Sequence, residues 1–135
     1  MSDNDKNNDR RLHLQFVQNV ITRMNTNSFQ IKTWTVTIFA AFIALAVNSR
    51  NYVYILVSIV PTVLFWLLDS YYLQQERKFR GLYNDVIAGK VTCYTMPING
   101  YCGGKYKFTK VLLSKPLMLF YATIIICIIV LTLIA

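Results

Sequence analysis

With 135 residues, 55% of them apolar, the chain has little left outside a bilayer for a globular domain of ordinary size. Its net charge of +8 would point a soluble protein toward nucleic acid, but cytoplasmic Lys and Arg also collect on membrane proteins to set their orientation. One His and six carboxylates, three of them within residues 1–9, leave little for a catalytic constellation, and no phosphate-loop, dinucleotide, zinc-protease or nucleophile-and-base pattern occurs. A non-enzyme with neither cofactor nor metal is expected.

Residues 1–9 (MSDNDKNND) are polar and aperiodic, and are expected to form a disordered tail. From Arg10 onward Leu12, Phe16, Val20, Ile21 and Met24 recur at helical spacing, with Arg11, Gln15, Gln18, Asn19 and Arg23 on other faces. This predicts an amphipathic cytoplasmic helix over 10–32, lying on the leaflet or packed on a partner helix; the spacing leaves both open. No Gly or Pro interrupts residues 10–60, so the helix is expected to enter the next segment with only a bend near 25–28.

Three uncharged apolar runs, 33–49, 51–68 and 116–135, contain 17, 18 and 20 residues. A helix needs about 20 residues to cross the hydrocarbon core, so the first two predict a transmembrane hairpin (33–68) and the last a third transmembrane helix. The long polar lead, with no small-residue cleavage site, argues against a removed signal peptide. Residues 1–32 carry five basic side chains and 69–115 carry eight, against Arg50 alone between the first two spans and none beyond Lys115. The positive-inside rule then puts the N-terminus and central segment in the cytoplasm and the C-terminus outside.

Within the first span Thr33, Thr37, Ala41, Ala44 and Asn48 share a face of small and weakly polar residues, suited to close helix packing in lipid. That face serves packing inside the protomer, a subunit interface or a pore wall. Ser49, Arg50 and Asn51 form a tight turn, and the second span carries Ser58, Thr62, Phe65 and Asp69 in register, with a kink expected at Pro61. Asp69 is expected as an interfacial cap or in an ion pair with Arg23 or Lys32.

Helical spacing continues through Tyr72, Phe79, Leu82, Tyr83 and Val86 to a stop at Gly89, which predicts a cytoplasmic stalk with an i,i+4 pair between Glu76 and Arg80. Residues 91–108 place β-friendly residues on both sides of the PING turn at 97–100, so a β-hairpin or ordered loop is expected there, within a cytoplasmic segment spanning 69–115. Its second arm sets Tyr101, Tyr106 and Phe108 among Lys105, Lys107 and Lys110. Aromatic faces with interleaved ammonium groups can stack bases and neutralise phosphates, and they are equally what a headgroup belt contains. Together with Arg77, Lys78 and Arg80 they form a candidate anion-binding surface. Cys93 and Cys102 lie in the reducing compartment and Cys127 in a span, so no disulfide framework is implied.

The fold class that results is an all-α integral membrane protein: three transmembrane helices, an N-terminal amphipathic helix, a helical stalk and a small hairpin or loop. The segments QNVITRMNTNSFQIKTWTVT (18–37) and FWLLDSYYLQQERKFRGLY (65–83), with Asp69, Tyr72, Glu76 and Arg77 in an Asp-x-x-Tyr and Glu-Arg pattern, resemble small bacterial membrane effectors of anti-phage operons. The resemblance is to effectors paired with a nucleotidyltransferase, as in the Hailong system, and more distantly to the two-span SLATT class. It covers roughly residues 12–86; the hairpin and third span depart from the SLATT pattern. It implies a bacterial inner-membrane homo-oligomer, in the simplest case a tetramer, forming a channel with the 33–48 stripe or the Ser58/Thr62 seam toward its axis. It also implies control by a nucleotide or short DNA oligomer made by the operon's nucleotidyltransferase. A different class of protein, a non-conducting subunit that anchors a cytoplasmic partner, has the same residue pattern, and headgroup recognition of membrane lipids is a third reading of the same Lys and Tyr residues.

Overall fold

In the computed structural model, residues 3–91 and 95–134 are described. Among them the chain is helical: α1 (Asp3–Ser49), α2 (Val53–Val57), α3 (Ile59–Ile87), a 3-10 turn (Gly104–Tyr106), α4 (Phe108–Leu112) and α5 (Lys115–Ile134). Three stretches are long and apolar enough to cross a membrane, lying in α1, in Val53–Ile87 and in α5.

α1 is a single unbroken helix of 47 residues, running from the N-terminal segment through the first apolar run. Residues 3–9, expected as a disordered tail, are its opening turns. Asp3 and Asp5 stand in the first turn, where carboxylates meet the positive end of the helix dipole. Farther along, Ser28 is buried rather than solvated, so a residue with weak helix propensity is held in the helix by tertiary contact.

Arg50 ends α1 with φ of 51°, a left-handed conformation usually left to Gly, and the Asn51 N–H returns to Ala46 O at 3.2 Å. The interruption expected at Pro61 falls earlier, at Ser58. The physical reason is that a proline ring clashes with the carbonyl four residues before it, here that of Val57, where α2 ends. Pro61 itself occupies the first turn of α3, which requires no intrahelical N–H bond from it.

α3 runs back antiparallel along α1 and stops as expected. Gly89 takes φ of 72°, with the Lys90 N–H bonded to Asp85 O at 2.9 Å and the Gly89 N–H to Val86 O at 3.2 Å. Arg10 closes the same end from α1, donating to Ile87 O at 2.6 Å and Val86 O at 3.2 Å. The stalk core between these helices is Val17, Ile21, Leu82 and Val86, flanked by Leu14, Phe79, Ile98 and Tyr101. A second apolar cluster, Ala46, Ile55, Ile124 and Ile128, joins α1, α2 and α5 at the opposite end.

No strand forms among the described residues, so the β-hairpin is not shown; residues 92–94 of its first arm lie outside them. The PING segment does turn, with the Tyr101 N–H bonded to Ile98 O at 3.1 Å. Past the turn, Gly104 at φ of 57° opens the 3-10 turn, and the arm winds onto α3 instead of extending.

Candidate functional site

The helices meet in a polar junction. Asp69 of α3 is fully buried, its Oδ2 2.6 Å from Lys32 Nζ of α1. The Ser28 hydroxyl donates to its other oxygen, and Lys32 donates to Ser28 Oγ at 2.8 Å, one helical turn back. From α5 the Tyr121 hydroxyl lies 3.1 Å from Asp69 Oδ2 and 3.3 Å from Phe65 O. Trp66 stacks on Tyr121 with centroids 6.0 Å apart and donates through Nε1 to Leu112 O, at the end of α4. A carboxylate this buried is tolerated only when paired and hydrogen-bonded on both oxygens, and two helices, α1 and α5, supply those partners.

Of the alternatives expected for Asp69, an interfacial cap or an ion pair with a basic residue, the ion pair is the one formed. It resolves the choice of cation as well: Lys32 pairs with Asp69, while Arg23 is exposed. Lys32 was legible as a candidate. Ser28 and Tyr121 were not, although Ser28 stands one turn before Lys32 and Tyr121 is the one tyrosine in the third apolar run.

The second region is the loop over the stalk. Tyr101 and Tyr106 meet edge to face at 5.4 Å above Gly81, where a β-carbon would come within 2.5 Å of Tyr106 Oη and 3.0 Å of the Tyr101 ring. Tyr101 Oη donates to Asp85 Oδ2 at 2.6 Å. Burial first, and then the neighbouring Asp85 carboxylate, push the Tyr101 hydroxyl up to about 12. Gln74 donates to Tyr106 O at 2.8 Å and Arg77 to Lys105 O at 3.4 Å. The loop backbone is therefore clamped by two stalk side chains.

The expected anion-binding residues divide accordingly. Tyr101 and Tyr106 are half-buried and hold the loop; Arg77 holds its carbonyl; Arg80 reaches Glu76 at 2.6 Å, the i,i+4 pair expected, across an otherwise exposed side chain. Lys105, Lys107 and Lys110 are exposed and Lys78 partly so, with Lys105 Nζ 5.1 Å above the Tyr106 ring. These four ammonium groups are the cations the surface offers to an anion.

The expected axis residues also separate. Thr33, Thr37, Ala41, Ala44 and Asn48 are all exposed on the outer face of α1, so they do not serve packing within the protomer. Thr33 and Thr37 return their hydroxyls to Phe29 O and Thr33 O, leaving an evenly satisfied surface. Ser58 and Thr62, by contrast, are buried within the protomer, their hydroxyls bonded to Ile55 O and Ser58 O. No protein-family description matches this chain, and no curated protein or solved structure matches it either.

Proposed function

We propose that this chain is a homo-oligomeric channel or pore effector of anti-phage defence in the bacterial inner membrane, with its stalk cytoplasmic and its C-terminus periplasmic. An anionic nucleotide or DNA oligomer, made by an operon-encoded nucleotidyltransferase, gates it. The observation that carries this reading is the outward exposure of Thr33, Thr37, Ala41, Ala44 and Asn48 on the same unbroken helix that builds half the stalk. Three spans cannot enclose a pore alone, and a weakly polar face on the outside of a protomer suits either a contact with a second copy or a water-facing wall. The Ser58/Thr62 seam is withdrawn from the axis, because its burial leaves it nothing to line.

The ligand surface comprises Lys78, Lys105, Lys107 and Lys110, with the loop held in place by Tyr101, Tyr106, Gln74 and Arg77. Gating requires the ligand to bind two states of the oligomer unequally, and the clamp between loop and stalk supplies an element whose position can differ between them. Flux recording on the purified oligomer, with oligonucleotides or cyclic nucleotides on the stalk side, tests the reading. A ligand-sensitive conductance is expected, weakening steeply with salt and abolished by Lys105→Glu with Lys107→Glu while insertion persists. Absence of conductance in folded oligomer under every ligand would sink it.

One observation favours the anchoring alternative. Asp9, Leu12, His13, Phe16 and Met96 line an open groove of about 340 Å³ at the stalk tip, with Leu12 and Phe16 more than half exposed. Such a groove suits a partner protein, and a non-conducting subunit would use it as its main contact.

A further inference from the structure

We infer that the protein carries a binding site for one anionic phospholipid of the leaflet at its stalk end, in the cleft between α1 and α5. This rests on the membrane placement of the three spans and not on channel activity. Both helices pack on α3, but α1 and α5 make no close backbone approach to one another. The gap is an open groove of about 420 Å³ lined by Val36 on α1 and Pro116, Leu119, Phe120, Thr123 and Ile124 on α5. Thr123 directs its hydroxyl to Leu119 O, so the groove offers no polar demand to a hydrocarbon chain.

The head of the groove is cationic. Lys115 is exposed at the first residue of α5, beside Pro116, and Lys32 lies one helical turn before Val36. Lys32 spends its charge on Asp69, which leaves Lys115 as the principal headgroup contact, with the exposed Lys110 preceding it in the short helix α4. The positive end of the α5 dipole falls at the same place. No acidic residue lies between Glu76 and the end of the chain except Asp85, which is engaged by Tyr101 at 2.6 Å and lies on the stalk. Apolar walls below and uncompensated ammonium groups above match a phospholipid with a net negative headgroup. A zwitterionic lipid fits the walls equally but gains less from the lysines, and a free phosphate fits the lysines but not the walls.

The full-length protein in mixed micelles, titrated with phosphatidylglycerol or phosphatidylcholine and read by native mass spectrometry, tests the site. We expect preferential retention of one phosphatidylglycerol. Lys115→Gln should weaken that retention about fivefold, the share of one lysine near an anionic headgroup. Leu119→Trp, a substitution at an exposed position that fills the groove, should weaken both lipids together. Inorganic phosphate at equal concentration should not compete. Equal retention of the two lipids, indifference to both substitutions, displacement by phosphate, or disulfide dimers formed through Leu119→Cys that show a second copy in the cleft would each overturn the proposal.

Discussion

Gly81 shows how one absent methyl group positions a surface. In an isolated helix Gly is about 1 kcal/mol worse than Ala, so Gly81→Ala would ordinarily stabilise α3. Here the added carbon meets Tyr106 Oη at 2.5 Å and the Tyr101 ring at 3.0 Å, and the overpacking cost of about 1–3 kcal/mol outweighs the gain. Gly81→Ala should lift the loop and speed tryptic cleavage at Lys105 and Lys107 several-fold in otherwise folded protein; an unchanged rate would show that the tyrosines yield without moving the backbone. Tyr101 makes a second prediction. Its hydroxyl must stay protonated to donate to Asp85, and burial with that carboxylate raises it to about 12. A raised value means the contact contributes fully below the ordinary tyrosine range near 10 and fades as pH climbs toward about 12. Subtracting the tyrosinate absorbance titration of Tyr101→Phe from that of the parent should leave one step near the upper value. A step near 10 would mean the hydrogen bond is not made.

At the scale of elements, the ends of helices carry the departures from regularity. Arg50 holds a left-handed φ of 51° that costs an ordinary residue about 1 kcal/mol and Gly almost nothing. Arg50→Gly should therefore leave the thermal midpoint in detergent unchanged or raise it, whereas a fall of several degrees would reveal a side-chain role for Arg50. Gly89, the tight turn at Arg50, the three helices long and apolar enough to cross a membrane and the Glu76–Arg80 pair were legible in the sequence because each rests on local spacing or on one residue's backbone preference. Of the β-hairpin or ordered loop expected over 91–108, no strand forms among the described residues, because α3 draws in Tyr101 and Tyr106, a contact across 16 residues in the case of Asp85 and Tyr101. Residues 3–9 join α1 for a related reason: composition registers their polarity but not the support of a long helix already nucleated downstream.

For the whole molecule the decisive contact is the one least visible in the chain. Lys32 and Asp69 were both candidates, yet the closure of the junction by Ser28 and Tyr121 depends on three helices arriving at one level, which no window of sequence records. Breaking a buried pair by removing one partner costs about 3–5 kcal/mol, because the other charge is stranded. Asp69→Asn and Lys32→Met should each lower stability sharply, and the double variant should recover a good part of the loss. Denaturation of all three in one detergent measures the coupling; strictly additive losses would deny it. The unbroken α1 has a consequence of its own. With the helix unbroken between Ile21 in the stalk core and Ser28 in the junction, distance along it is also angle. One residue inserted there would turn everything beyond it by about 100°. Lys32 would then swing away from Asp69, and the outward threonines would face a different neighbour. The chain's tolerance for change in this stretch is thus set by phase: substitutions are admissible where length changes are not.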